Sequence, residues 1–275
     1  MTDDVSILER YSRLTYRLPL VFSNITIETS NFCNRGCGFC PVGHDRKPLV
    51  RMERALFDKI LGELSDLNYC GDICMQWYSE PLADKRLVDW TRLARETCPE
   101  SFIYVSSNGD FLDTIRFRML VDAGMNLVNV SQYGGRVEPN VQATQEFVDR
   151  HPEYRDALRV GIKGADVLVN ARAGSIPGFA PDQPLRERCI RPDEQIIVDA
   201  SGDVPLCCND YHGAYKIGSV RESTLLELWF HPRMYEARKA LREGDRTKIA
   251  ICRSCNEPNA LYADALPRGN PNCGA

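Results

Sequence analysis

The 275-residue sequence has no basic block: 34 Lys and Arg stand against 38 Asp and Glu, for a formal net charge of −4. A phosphate backbone is bound by concentrated positive charge, so no nucleic-acid partner is expected. Nor does any apolar run approach the ~20 residues of a membrane span. The opening MTDDVSILERYSR is acidic and lacks the apolar core of a secretory signal. The expectation is a cytoplasmic protein with no membrane partner. Disulfides are rare in that compartment, so the 12 cysteines argue for metal. Otherwise the composition is ordinary, 43% hydrophobic and 26% charged, enough to bury a core in one large domain or a domain and a half.

The cysteines are not scattered evenly. Residues 33 to 40, CNRGCGFC, set Cys33, Cys37 and Cys40 at Cys-x3-Cys-x2-Cys spacing. Three such thiolates can hold three irons of a [4Fe–4S] cluster, leaving the fourth iron open. Gly36 and Gly38 are expected to let the backbone curl so that the thiolates converge. The preceding NITIET, residues 24 to 29, alternates as a strand does. Zinc, the rival use of such thiols, usually takes paired Cys-x2-Cys knuckles, and this triplet has one pair and an odd cysteine. The combination resembles the radical S-adenosylmethionine (SAM) superfamily. That resemblance implies SAM chelated to the open iron and Phe39 packed near its adenine.

Beyond the loop, helical and strand patterns alternate. Helices are expected at 53–67, 84–97, 110–123 and 140–150, and strands at 72–77, 101–106, 126–131 and 159–169. A short amphipathic helix is expected at 5–17. This order predicts parallel βαβ units with ligands at the carboxyl ends of the strands. The resemblance makes the fold α/β: a partial (β/α)6 radical SAM barrel at 21–184, after an N-terminal helical extension at 1–20. Where the family has Gly-Gly-Glu-Pro, this chain has Tyr78-Ser79-Glu80-Pro81, keeping Glu80 and Pro81 but neither glycine. The family segment contacts the amino group of SAM. By the same likeness Ser107, in the turn after the third strand, and Ser131, ending the fourth, face SAM, and Tyr133 faces its ribose or the substrate.

From about residue 185 the pattern changes to a hairpin about Ala200-Ser201-Gly202 and a helix at 223–230. Cys189, Cys207 and the Cys252-x2-Cys255 pair form a four-thiolate set there, with Cys208 the rival to Cys207. Four thiolates saturate a metal, which suits electron transfer or structure. Cys70, Cys74 and Cys98 are expected to be buried small apolar residues. The segment 185–275 resembles the small hairpin–helix twitch domain, a shortened SPASM-like module that holds an auxiliary [4Fe–4S] cluster. A structural zinc ribbon is the alternative.

Together the two cysteine sets resemble radical SAM dehydrogenases of antibiotic biosynthesis. The implied reaction takes hydrogen from a carbinol carbon of an aminocyclitol or amino sugar and passes an electron to the auxiliary cluster, giving a ketone. Arg172 stands at the place of a family arginine that contacts the reacting hydroxyl. Since its guanidinium stays protonated, it would orient the substrate rather than act as base. Asn209 and Asp210, beside an auxiliary cysteine, are expected in the same pocket. An external donor such as flavodoxin or ferredoxin is implied. Two alternatives stay open: an epimerase using Cys273 or Cys208 as hydrogen donor, and a peptide-modifying SPASM enzyme, against which stand the few residues before the core. A plain electron carrier would need neither an open iron nor Glu80-Pro81.

Overall fold

The computed structural model describes residues 21–163 and 170–257. The helix expected at 5–17, the end of the extended stretch expected at 159–169, and Cys273 lie outside those residues. Six parallel strands form the main sheet: β1 (Asn24–Ile27), β2 (Asp72–Cys74), β3 (Phe102–Ser107), β4 (Leu127–Tyr133), β5 (Leu158–Lys163) and β6 (Gln195–Val198). Their spatial order is β5-β4-β3-β2-β1-β6. Helices α1 (Arg54–Asp66), α2 (Leu87–Thr97), α3 (Thr114–Asp122) and α4 (Pro139–Arg150) fall between the first five strands.

Sequence periodicity explains these elements. In α1, Leu56, Phe57, Ile60, Leu61 and Leu64 recur at helical spacing, and all five are buried. Helix α3 starts where the Asp113 side chain accepts the Arg116 N–H, an N-cap bond. Ile25 and Ile27 of β1, Ile73 of β2 and Val128 and Val130 of β4 are buried without measurable exposure. They pack with Phe57, Trp90 and Phe117 in one core. That core continues into Val204, Leu206, Leu228 and Trp229, so residues past 185 fold against the sheet.

The expected six-stranded arrangement holds, with a correction to where its sixth strand comes from. The described residues of 21–184 contain five strands of this sheet, and β6 is drawn from the segment assigned to the second module. It pairs in parallel with β1, Asn24 opposite Gln195 and Ile27 opposite Val198. Without it, β1 would expose a row of unpaired backbone groups. The expected hairpin is likewise reduced to a turn, where Asp199 N–H donates to Asp203 O at 2.9 Å. The chain then leaves the main sheet, and β7 (Asp203–Val204) pairs antiparallel with β8 (Gly218–Ser219). The single helical turn α5 (Arg191–Glu194) leads directly into β6.

The remaining helices are α6 (Leu225–Trp229), α7 (Pro232–Arg242) and α8 (Ala250–Arg253). Helix α6 opens with a capping box between Thr224 and Glu227. Among the described residues no helix is long and apolar enough to cross a membrane. Cys74 and Cys98 are buried, as expected. Cys70 is not a free apolar thiol but disulfide-bonded, a correction to the reading of all cysteines as thiols or metal ligands.

Candidate active site

The loop carrying Cys33, Cys37 and Cys40 follows β1 and lies over the carboxyl ends of the strands. Backbone and charged side chains fix it. Cys40 N–H donates to Cys37 O at 3.0 Å. Arg46 donates to the Cys33 carbonyl at 2.5 Å and to that of Arg35 at 3.0 Å. Arg35 and Asn34 both hold Asp110, just beyond β3, and Asn108 donates to Asn34 at 3.0 Å. The curl depends on a glycine other than the two expected. Gly36 and Gly38 keep ordinary backbone angles. A Cβ at Gly43, by contrast, would overlap the Cys37 carbonyl oxygen and stand 3.0 Å from the Gly36 carbonyl carbon. All three cysteines are half-buried, and burial pushes their thiols above the usual range.

A cavity of about 1090 Å³ opens beside these thiols and is walled by the strand ends. Phe39, Glu80, Ser107, Ser131, Tyr133, Arg172 and Cys208 all line it. The Phe39 and Tyr133 rings lie 4.7 Å apart. Glu80 is buried, with its carboxylate committed within the fold. Oε1 accepts from the Ser107 hydroxyl at 2.7 Å and from Leu82 N–H at 3.0 Å, and Oε2 accepts from Asn108 N–H at 2.8 Å. Burial raises its pKa, and these hydrogen bonds oppose the rise. The turn after β3 ends in Gly109, at φ +80°, where a Cβ would meet Val130 and Val141 at 2.8 Å. Pro81 begins the 3-10 turn that Glu80 caps.

Arg172 enters from the far side on a strained turn. It and Ala173 adopt φ of 44° and 52°, a left-handed conformation rare for residues with a Cβ. Strain of this kind persists where the surroundings over-determine it. Here Asn170 accepts the Arg172 N–H at 2.8 Å, and Asn256 accepts that of Ala171 at 2.7 Å. The Arg172 guanidinium donates to Asn209 Oδ1 at 3.2 Å and lies 5.9 Å from the Tyr78 ring centre. Its charge also bears on the Cys40 thiol.

Tyr78 was not singled out from sequence. It stands at the first glycine position of the family motif, 9% exposed, and its hydroxyl has no hydrogen-bond partner among the described residues. Its ring packs with Val42 and Tyr211, against Cys33, Cys40 and Trp77. The departure from glycine was the available signal. That departure brings a buried phenol to the wall between the two cysteine groups.

The second group is held by separate elements. Cys189 N–H donates to Leu241 O at 3.0 Å, and Cys255 N–H to Cys252 O at 3.3 Å. Burial, followed by the nearby thiols of Cys208, Cys252, Cys189 and Cys255, drives the Cys207 thiol well above its usual range. Cys208 turns instead to the cavity, where its sulfur accepts from Arg191 at 3.0 Å and from Gln195 at 3.7 Å. Asn209 donates weakly to Cys255 Sγ at 3.9 Å, so it bridges Arg172 and this group without lining the cavity. Asp210 does not join the expected pocket: its oxygens accept the Ala214 and Tyr215 N–H groups at 2.9 and 3.0 Å. It is a turn residue.

Among the described residues no three or more Cys, His, Asp or Glu side chains converge tightly enough to hold a single metal ion. A tetrahedral zinc needs its four donors about 2.3 Å from one point. A four-iron cluster spreads its thiolates around a cube, and the donor chemistry here, thiols and no imidazole, is that of such a cluster. By their donor chemistry the two groups fit iron–sulfur clusters.

Comparison with known proteins agrees with this geometry. The radical SAM superfamily model matches residues 27–168, and the SPASM iron–sulfur cluster-binding domain model matches 189–256. The chain is 28% identical over 240 residues to the S-adenosyl-L-methionine-dependent 2-deoxy-scyllo-inosamine dehydrogenase of Niallia circulans, covering 86% of this chain and 93% of that protein. The crystal structure of BtrN in complex with AdoMet and 2-DOIA superposes with a TM-score of 0.77 at 27% identity, covering 86% of this chain and 94% of the other. Native anSMEcpe with bound AdoMet, at 13% identity and TM-score 0.55 over 79% of this chain and 83% of its own, shares the fold. With a family model matched over more than half its length, this chain belongs to the radical SAM superfamily.

Proposed function

We propose that the chain is a radical SAM dehydrogenase that oxidises a secondary alcohol of an aminocyclitol or amino sugar to a ketone. When bound, SAM and a [4Fe–4S] cluster supply a radical able to remove hydrogen from the carbinol carbon, and an auxiliary [4Fe–4S] cluster accepts the remaining electron. Cys33, Cys37 and Cys40 would hold the first cluster, and Cys189, Cys207, Cys252 and Cys255 the second. Phe39, Ser107, Ser131 and Tyr133 would line the SAM site. Glu80 would shape that site by fixing the turn after β3, as its carboxylate is already hydrogen-bonded.

The observation that carries this reading is the position of Arg172, whose guanidinium bears on Cys40 and reaches Asn209, itself on Cys255. A hydroxyl held by Arg172 would lie between the site that takes hydrogen and the site that takes an electron. Arg172 remains protonated, so it steadies developing negative charge on the oxygen and does not take the proton, which the hydroxyl releases to solvent. The enclosing aromatic residues Phe39, Tyr78 and Tyr133 limit water and competing hydrogens. A flavodoxin or ferredoxin is the proposed electron donor to the first cluster.

Epimerisation is the second reading, favoured by Cys208, whose sulfur lies in the cavity wall. Anaerobic incubation with SAM, reductant and a panel of aminocyclitols that includes 2-deoxy-scyllo-inosamine, in deuterated water, separates the two. Oxidation gives a product two hydrogens lighter, trapped by hydrazine reagents, with no deuterium fixed at the reacting carbon. A product of unchanged hydrogen count that carries one deuterium and vanishes in Cys208→Ala would overturn the dehydrogenase reading.

A further inference from the structure

Arg246 lies behind the second cysteine group and is 1% exposed. Its Nη1 donates to Glu257 O at 3.0 Å and its Nε to Glu187 O at 3.2 Å, both neutral carbonyls. Its Nη2 is buried and has no hydrogen-bond partner among the described residues. A neighbouring buried arginine, Arg191, is differently placed. Its charge is matched by the Glu257 carboxylate at 2.8 Å, and its other nitrogen is on Cys208. Arg246 has no such carboxylate among the described residues, and a buried guanidinium without a counter-charge is strongly disfavoured. The groups its charge does act on are the thiols of Cys189 and Cys252, which it favours in their ionised form.

Glu187 and Glu257, whose carbonyls hold the guanidinium, stand two residues from Cys189 and Cys255, so a buried cation with one N–H unpartnered among the described residues lies beside this group of thiols. The compensating anion is then the net-negative assembly those thiolates form with iron. We propose that Arg246 donates a hydrogen bond from Nη2 to the auxiliary cluster and, by its charge, raises the cluster's reduction potential. The inference rests on the reading that these four cysteines hold a [4Fe–4S] cluster. Hydrogen bonds to cluster sulfur and local positive charge both favour the reduced, more negative state, and a low-dielectric surrounding strengthens the effect. Arg246 would then be a positioning residue for the electron: it touches neither SAM nor substrate, but sets how readily the auxiliary cluster takes the electron left on the substrate.

The test uses full-length protein in which Cys33, Cys37 and Cys40 are alanine, so that only the auxiliary cluster is seen in a potentiometric titration followed by electron paramagnetic resonance. Arg246→Gln is expected to weaken electron uptake at least tenfold, a fall of 59 mV for a one-electron couple. Arg246→Lys, which keeps charge but not the fork of donors, should recover part of that fall. An unchanged potential in an Arg246→Gln protein that holds four irons overturns the proposal. Fewer than four irons and four sulfides in the parent protein overturns the auxiliary-cluster reading, and the proposal with it. Should both variants lose their cluster, the parent protein labelled with 15N-arginine decides. A 15N coupling on the reduced cluster that survives Arg191→Lys supports the contact. Its absence, or its loss in Arg191→Lys, refutes it.

Discussion

Glu28 follows the last residue of β1, 3% exposed, and its Oε1 accepts the Tyr78 N–H at 3.0 Å. Burial and the nearby Asp199 push its carboxyl up from 4.5 to about 8, while Lys47 and backbone N–H groups of Tyr78 and Ala200 offset part of the rise. In the folded protein the proton is therefore held to about pH 8, whereas the unfolded chain releases it near 4.5. Between those values the folded state binds more protons, so stability falls as pH rises. The contribution is whole below 4.5 and lost on passing 8. At 1.36 kcal/mol per pKa unit, the interval from pH 6 to pH 9 removes about 2 to 3 kcal/mol. In a chain of this size that lowers the melting temperature by roughly 4 to 10 °C. Glu28→Gln keeps an oxygen for the Tyr78 N–H and cannot ionise. The holoenzyme and its Glu28→Gln variant are melted anaerobically across that pH range and followed by circular dichroism. The wild-type protein should lose stability more steeply by the stated amount. Parallel curves would refute the reasoning, because they would mean Glu28 is already ionised in the fold or solvated enough not to matter.

Other perturbations test the site. Reconstituted wild-type protein should hold about eight irons and eight sulfides per chain, and replacing Cys33, Cys37 and Cys40 by alanine should leave about half; stoichiometric zinc with four irons would instead put zinc at the second group. Gly43→Ala forces a methyl into the Cys37 carbonyl, so it should destabilise the loop by about 1 to 3 kcal/mol and lower iron content toward four; full iron content would show that the loop relaxes. Arg172→Lys keeps the charge but loses the fork that joins Asn209 to the cavity, and ketone formation from 2-deoxy-scyllo-inosamine should drop at least tenfold. Wild-type rates in that variant would remove Arg172 from the substrate site.

Local pattern alone determined a good deal of this protein. The Cys33–Cys40 spacing, the alternation of helix and strand through residue 163, and the family likeness they carry are all properties of short stretches of chain. Each element is specified by residues that neighbour one another, such as the apolar stripe of α1 or the Asp113 cap of α3. What tertiary structure decided depends on residues far apart in sequence. Residues 195–198 read equally well as half of a hairpin, and become the sixth strand only because the edge of β1 is there to be paired. Cys207 and Cys208 have the same chemistry and adjacent places. They are told apart by Arg191 and Gln195, which hold Cys208 toward the cavity and leave Cys207 among the other thiols. Asp210 was drawn out of the expected pocket by two backbone N–H groups that follow it in the turn. The place of Arg172 in the chain was visible, but its strained turn and the buried charge of Arg246 were not. Both follow from burial, which sets the cost of every unpaired polar group and is a property of the assembled chain.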